Sequence, residues 1–228
     1  RLVAGDYAVY ALDHRGHGRS EGAREVIERF ADFTDTLKVF DGMVRDWQPG
    51  TTIFLSGHSM GGLIACNYLL DRQAGFKGAI ISAPAIKVSD SISPTTILMG
   101  RVFSALAPRV GVLALDTNGI SRDPQEVAAY VQDPLNFHGK MPARLAAEML
   151  KAMQRVTAEV AKIRLPFIVV QGGEDKLIDP GGAQMLYENA GSSDKTLKIY
   201  PALYHELHNE PERLMVFEDI EAWLGEHL

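Results

Sequence analysis

TIFLSGHSMGGLIACNYLLDR, residues 52–72, runs from an apolar segment through a serine set among glycines into a helical run. Strand, G-x-S-x-G and helix in that order make a nucleophile elbow. The turn is too tight for bulk beside the serine, which accounts for Gly57 and Gly61, with His58 and Met60 as the intervening residues. Ser59 is expected in a strained backbone conformation with its hydroxyl exposed. The helix behind it aims its N-terminus at the reacting centre, and the Met60 N–H is placed to donate to an oxyanion. Gly62 adds a further close-packing position.

Working outward, short apolar runs alternate with helical patterns: YAVYAL (7–12), TIFLS (52–56), GAIIS (78–82), PFIVVQ (166–171) and TLKIY (196–200). This rhythm predicts an α/β fold with a mostly parallel sheet and crossover helices. The first four runs are almost unbroken, as strands covered on both faces should be. Between Pro84 and Pro166 the rhythm stops, so a helical cap insertion over 84–165 is expected between two core parts, 1–83 and 166–228. Within it, 143–163 repeats apolar residues at Leu145, Met149, Met153, Val156, Val160 and Ile163, the spacing of one core-facing helix face. The stretch 95–115 is more apolar than a surface connection, and reads as a lid over a cavity or else as an exposed greasy patch.

Composition narrows the partners. The 228 residues are 46% hydrophobic and 23% charged with a net charge of −6, and hold no Lys/Arg run of five. A nucleic-acid footprint is therefore missing. Cys66 is the only cysteine, which excludes an internal disulfide and a multi-cysteine zinc site, and its apolar setting reads as a packing thiol. With no run near the ~18–20 apolar residues of a membrane span, and no charged-then-apolar leader before the first strand, a soluble, cytoplasmic protein is the expectation.

A serine hydroxyl needs a base, and the base needs a carboxylate. Behind an elbow of this kind the chain order is serine, acid, histidine. His205 follows the last strand, where a loop at the carboxyl edge presents it to the elbow, and ranks before His208, while His138 and His227 read as surface residues. The acid should follow PFIVVQ, where Glu174, Asp175 and Asp179 compete. Asp175 is preferred because it clears the strand just past the Gly172-Gly173 turn, whereas Asp179 before Pro180 reads as a helix cap. The cluster Asp13, His14 and His17 raises a metal site, but a tight glycine loop with an Asp13–Arg15 pair is the plainer reading, and neither metal nor cofactor is expected.

With YALDHRGHGRSEG, GHSMGG, ISRDP, DPLNFHGKMPARL and QGGEDKLIDPGGAQMLYENAGSSDKTLKIYPALYHELHNEPER, the chain resembles the bacterial-type monoacylglycerol lipases of the α/β-hydrolase superfamily over nearly its whole length. The resemblance implies Ser59 as nucleophile, Asp175 as acid, His205 as base and Met60 as one oxyanion donor. It also implies an apolar cap that admits a fatty acyl chain and touches membranes or micelles transiently. The family pattern starts further upstream, with strands and a loop supplying a second oxyanion donor. On that ground the sheet is expected to be split between 7–12 and 52–56 unless the two pair directly or the upstream part is supplied from elsewhere, and the oxyanion site to be half built, a loss typically worth ~10²–10³ in rate. The function so implied is hydrolysis of a monoacylglycerol through an acyl-enzyme. A broader carboxylesterase or lysophospholipase is the alternative, and a catalytically impaired acyl-binding protein the rival from another class.

Overall fold

The computed structural model describes residues 1–87, 100 and 102–228. Its centre is a sheet of four parallel strands, β1 (Phe54–His58), β2 (Gly78–Ser82), β5 (Phe167–Gly172) and β6 (Lys195–Tyr200), in spatial order β1-β2-β5-β6. Phe54 pairs with Gly78, Ala79 with Phe167, and Phe167 with Lys195, so the four strands start within a residue of one another, and β5 and β6 run two residues past the ends of β1 and β2. Parallel strands require crossover connections, and these are the helices.

Side chains alternate across the two inner strands. Ile81, Phe167 and Val169 enter one core with Phe33, Leu63, Ile64 and Tyr68, while Ile80, Ile168 and Val170 enter a second core with Val216, Trp223 and Leu224. The first core is covered by α1 (Ala31–Trp47), α2 (Met60–Asp71), α4 (Ala143–Glu159) and α5 (Gly181–Asn189), and the second by α6 (Arg213–Glu226). Helix α2 is apolar nearly all round because it is wrapped nearly all round, with every residue from Gly62 to Leu70 buried. Helix α4 buries Leu145, Met149, Ala152 and Val156 in the same core, as the spacing of 143–163 predicts for a core-facing helix.

The run at 7–12 forms no strand. Residues 7–14 are irregular, and among the described residues β1 has a ladder partner on one side only, β2. An apolar run without a neighbouring ladder has nothing to satisfy its backbone as a strand. Tyr10 instead lies against Trp47 at the end of α1, with ring centroids 5.6 Å apart, and accepts a hydrogen bond from Gln48. β1 is consequently less covered than the expectation of two buried faces, and Ser56 is exposed.

Of the stretch 84–165, residues 88–99 and 101 lie outside the described residues, including part of the 95–115 run. The remainder holds a helical turn at 102–106, a small antiparallel pair β3 (Gly111–Leu113) with β4 (Met141–Pro142), and α3 (Pro124–Gln132), capped by the Asp123 carboxylate accepting from the Gln125 N–H. Val102, Phe103, Leu106, Val112, Leu113 and Leu115 are exposed there, a greasy surface that soluble proteins seldom show without use. Among the described residues no helix is long and apolar enough to cross a membrane.

Candidate active site

The parallel strands bring three loops to one edge of the sheet: Ser59 directly follows β1, Asp175 follows β5, and His205 follows β6. Ser59 has φ 54° and ψ −118°, a conformation L-residues adopt only under constraint. The constraint is visible. The Ser59 N–H donates to Ser82 O at 2.9 Å, and Ser59 O accepts from Leu63 and Ala85, which ties the elbow to the end of β2. A Cβ on Gly57 would stand 2.3 Å from the Gly61 carbonyl oxygen, and one on Gly62 would stand 3.0 Å from Pro84. Gly61 differs from expectation, because a Cβ there meets nothing within 4 Å. The crowding falls on the Gly61 backbone, so the close-packed pair is Gly57 with Gly62. Met60 is the first residue of α2, which leaves its N–H without an intrahelical acceptor.

Asp175 and His205 are joined at 2.8 Å through Oδ2 and Nδ1, with the carboxylate wholly buried. The other carboxylate oxygen accepts from the Leu177 and Ile178 N–H groups at 2.9 Å each. Burial by itself would raise this carboxyl, but the His205 bond and charge together with those two N–H groups outweigh it and hold the group below its ordinary range. Because a carboxylate only accepts, Nδ1 carries the imidazole proton and Nε2 keeps the lone pair of a base.

The rival residues are engaged elsewhere. Glu174 pairs with Lys176, and Asp179 pairs with Lys87 while accepting from the Gly181 N–H at the start of α5. His138 lies near the Tyr130 ring and His227 near Asp194. His208 packs against Phe217 and against His58, its imidazole pushed down by burial. Asp13 accepts from the Arg19 N–H, so the partner is a backbone group and not the Arg15 side chain. Among the described residues no three His, Cys, Asp or Glu side chains gather as metal ligands would.

Two further residues shape the site: His58, read from the sequence only as an intervening residue of the elbow, and Gln171, which was not singled out. The His58 ring lies 4.7 Å from that of His205 and its Nδ1 is 3.1 Å from Ser82 Oγ, which sets the His205 imidazole beside the elbow. Burial, then the His205 and His208 rings, push His58 down to about 3. The side-chain bonds of this cluster run from His58 to Ser82 and from His205 to Asp175, and among the described residues none involves the Ser59 hydroxyl. Gln171, fully buried on β5, donates to Asp175 Oδ2 at 2.9 Å and leaves its own Oε1 unpartnered. An unpaired buried acceptor costs about 1–3 kcal/mol. Its only sequence signal is a polar residue closing an otherwise apolar strand.

A parallel sheet with the serine on an elbow, and an acid and a histidine following in that chain order, defines an α/β-hydrolase. Residues 1–212 match the family described as serine aminopeptidase, S33. The chain is 38% identical over 228 residues to a monoacylglycerol lipase of Mycolicibacterium smegmatis, covering all of this chain and 81% of the relative. It is 37% identical over 231 residues to a Homo sapiens monoglyceride lipase, covering 99% and 76%. Among solved structures, the Paleococcus ferrophilus monoacylglycerol lipase matches with a TM-score of 0.82 at 28% identity, over 93% of this chain and 81% of that one. A soluble variant of the Saccharomyces cerevisiae monoglyceride lipase, in complex with a substrate analog, matches with a TM-score of 0.82 at 26% identity, over 94% and 76%. The chain thus belongs to the serine aminopeptidase S33 family and, within the α/β-hydrolase superfamily, to the monoacylglycerol lipases.

Proposed function

We propose that the protein is a serine ester hydrolase that cleaves monoacylglycerol to fatty acid and glycerol, with Ser59 as nucleophile, His205 as base, Asp175 as the orienting acid and Met60 as an oxyanion donor. The observation that carries this reading is the buried Asp175–His205 bond beside a serine strained to φ 54°. Relatives bearing the monoacylglycerol and monoglyceride lipase names support the substrate class.

With Nδ1 held by Asp175, His205 Nε2 takes the Ser59 proton as Oγ attacks the ester carbonyl. The Met60 N–H donates to the oxyanion. Collapse expels glycerol, which takes the proton back from Nε2, and a water activated by the same nitrogen then releases the fatty acid. Every step uses protein groups and water. The exposed apolar side chains over 102–115 suit brief contact with a micelle or membrane surface from which a single-chain lipid is drawn.

The test compares wild type with Ser59→Ala on a medium-chain monoacylglycerol, short p-nitrophenyl esters and lysolipids, alongside labelling by a serine-directed phosphonate. The reading expects turnover highest on the monoacylglycerol, abolished in Ser59→Ala, with label on Ser59. Equal turnover on all three substrates would favour the broader esterase. A phosphonate that never reacts with Ser59 would leave an acyl-binding protein.

A further inference from the structure

The motif ISRDP has no part in the reaction as written, yet it bonds to the loop that carries His205, and Gly119 just before it lies against the residues that follow Asp175. Ile120 O accepts from the Glu206 N–H at 2.8 Å, one residue past His205. Ser121 Oγ donates to Asn209 O at 2.8 Å. The Arg122 N–H donates to Glu210 Oε1 at 2.7 Å, while its guanidinium forks between Glu210 and Glu212. On the other side, a Cβ on Gly119 would stand 2.9 Å from Lys176 and Leu177, and Leu177 is one of the two N–H donors to Asp175.

Glu210 is 0% exposed, whereas the Arg122 side chain is 28% exposed. A carboxylate taken wholly out of water is costly unless it is paired and hydrogen-bonded, and a hydrophobic pair of similar volume is often as stable. Stability alone is therefore a poor reason for the pair. The histidine loop offers a better one. Between β6 and α6 it has no ladder, only a short 3-10 turn at Leu207–Asn209, and loops without ladders are ordinarily mobile. A base must hold its geometry closely, since a 1 Å misplacement can cost about 10²-fold in rate.

We propose that residues 120–122 form a strap that fixes the His205 loop, with Arg122 a positioning residue acting through Glu210. The inference rests on His205 being the base. Arg122 bonds to Glu210 and Glu212 and not to Ser59, Asp175 or His205; it sets where the imidazole stands relative to Asp175 and Ser59.

The experiment compares wild type, R122K, the paired variant R122M/E210Q and, as a control, R155M, which removes an ion pair to Asp71. The paired variant removes the fork without stranding a buried charge and keeps an acceptor for the residue 122 N–H. Four quantities are read: kcat, KM, thermal midpoint and the low-field proton resonance of the His205–Asp175 bond. The strap predicts that R122M/E210Q folds, loses roughly 10- to 100-fold in kcat with KM within about twofold, and broadens or loses that resonance. R122K should recover part of both, and R155M should change neither. Wild-type kcat and an intact resonance in folded R122M/E210Q would overturn the strap, as would a rate loss with the resonance unchanged. If wild type itself shows no Ser59-dependent turnover, the triad reading fails separately, and the resonance still decides whether the strap orders the loop.

Discussion

The two halves of the site are built by different means. On the Asp175–His205 side, β5 is flanked by strands on both sides, the Asp175 side chain is fully buried, and its two oxygens accept from His205, Gln171 and two backbone N–H groups. On the Ser59 side, β1 has one ladder neighbour among the described residues and exposes Ser56, and the serine is held by a forced backbone turn packed against glycine. One half is ordered by hydrogen bonds that satisfy a buried charge, the other by close packing of main chain. The first should respond to changes of charge and donor, the second to added carbon.

The largest expected effect is on the charge-built half. Asp175→Asn preserves shape but removes the charge and the obligate acceptor that fixes the imidazole tautomer, and kcat should fall about 10⁴-fold with little change in KM. A loss below tenfold would show that the hydrogen-bond network is not what orders the base. On the packing-built half, Gly57→Ala places a carbon where the Gly61 carbonyl oxygen stands at 2.3 Å. Neither partner is a flexible side chain, so a loss of about 1–3 kcal/mol in urea unfolding is expected, together with slower phosphonate labelling of Ser59.

The third prediction concerns two desolvated histidines, His58 beside His205 and His14 against Phe33. Burial and neighbouring rings push His58 down to about 3, while burial and the His17 charge push His14 to about 4. Both folded values lie below the unfolded one, so between pH 6.5 and those values the unfolded chain binds protons that the folded chain refuses. Stability is then complete above about pH 6.5 and lost as pH falls, by at most about 1.4 kcal/mol per pH unit for each group. Urea unfolding at pH 7 and pH 5 measures the slope, and His58→Gln should flatten it. A slope unaltered by that change would mean His58 takes up its proton normally in the fold. Acid loss from Asp175 carries the same sign but lies lower, below the ordinary carboxylate range.

The smallest effect belongs to Gly61→Ala. Nothing lies within 4 Å of the added carbon, its φ is not positive, and alanine is the better helix former at the start of α2. Stability should be unchanged or raised by up to ~1 kcal/mol. Destabilisation to the level of Gly57→Ala would erase the difference between the two elbow glycines and the packing argument with it.

The features legible in the chain alone are those whose causes lie within a few residues. A strained turn needs glycine beside it, a helix face repeats every three to four residues, and a buried strand is an apolar run, so the elbow, β2, β5, β6 and α4 could be read directly. Tertiary structure decided what depends on distant groups. Residues 7–12 have a strand's composition but no ladder beside them, and backbone pairing cannot be read from one segment. The sequence favours Asp175 over Glu174 and Asp179 by its place past the glycine turn, but which oxygen meets an imidazole 30 residues on is settled by where the loops land. The crowding at Gly57 rather than Gly61, the donor Gln171, and the stitching of Ser121 and Arg122 to the histidine loop share that origin. Desolvation and close contact are properties of a neighbourhood, and the neighbourhood exists only once the chain has folded.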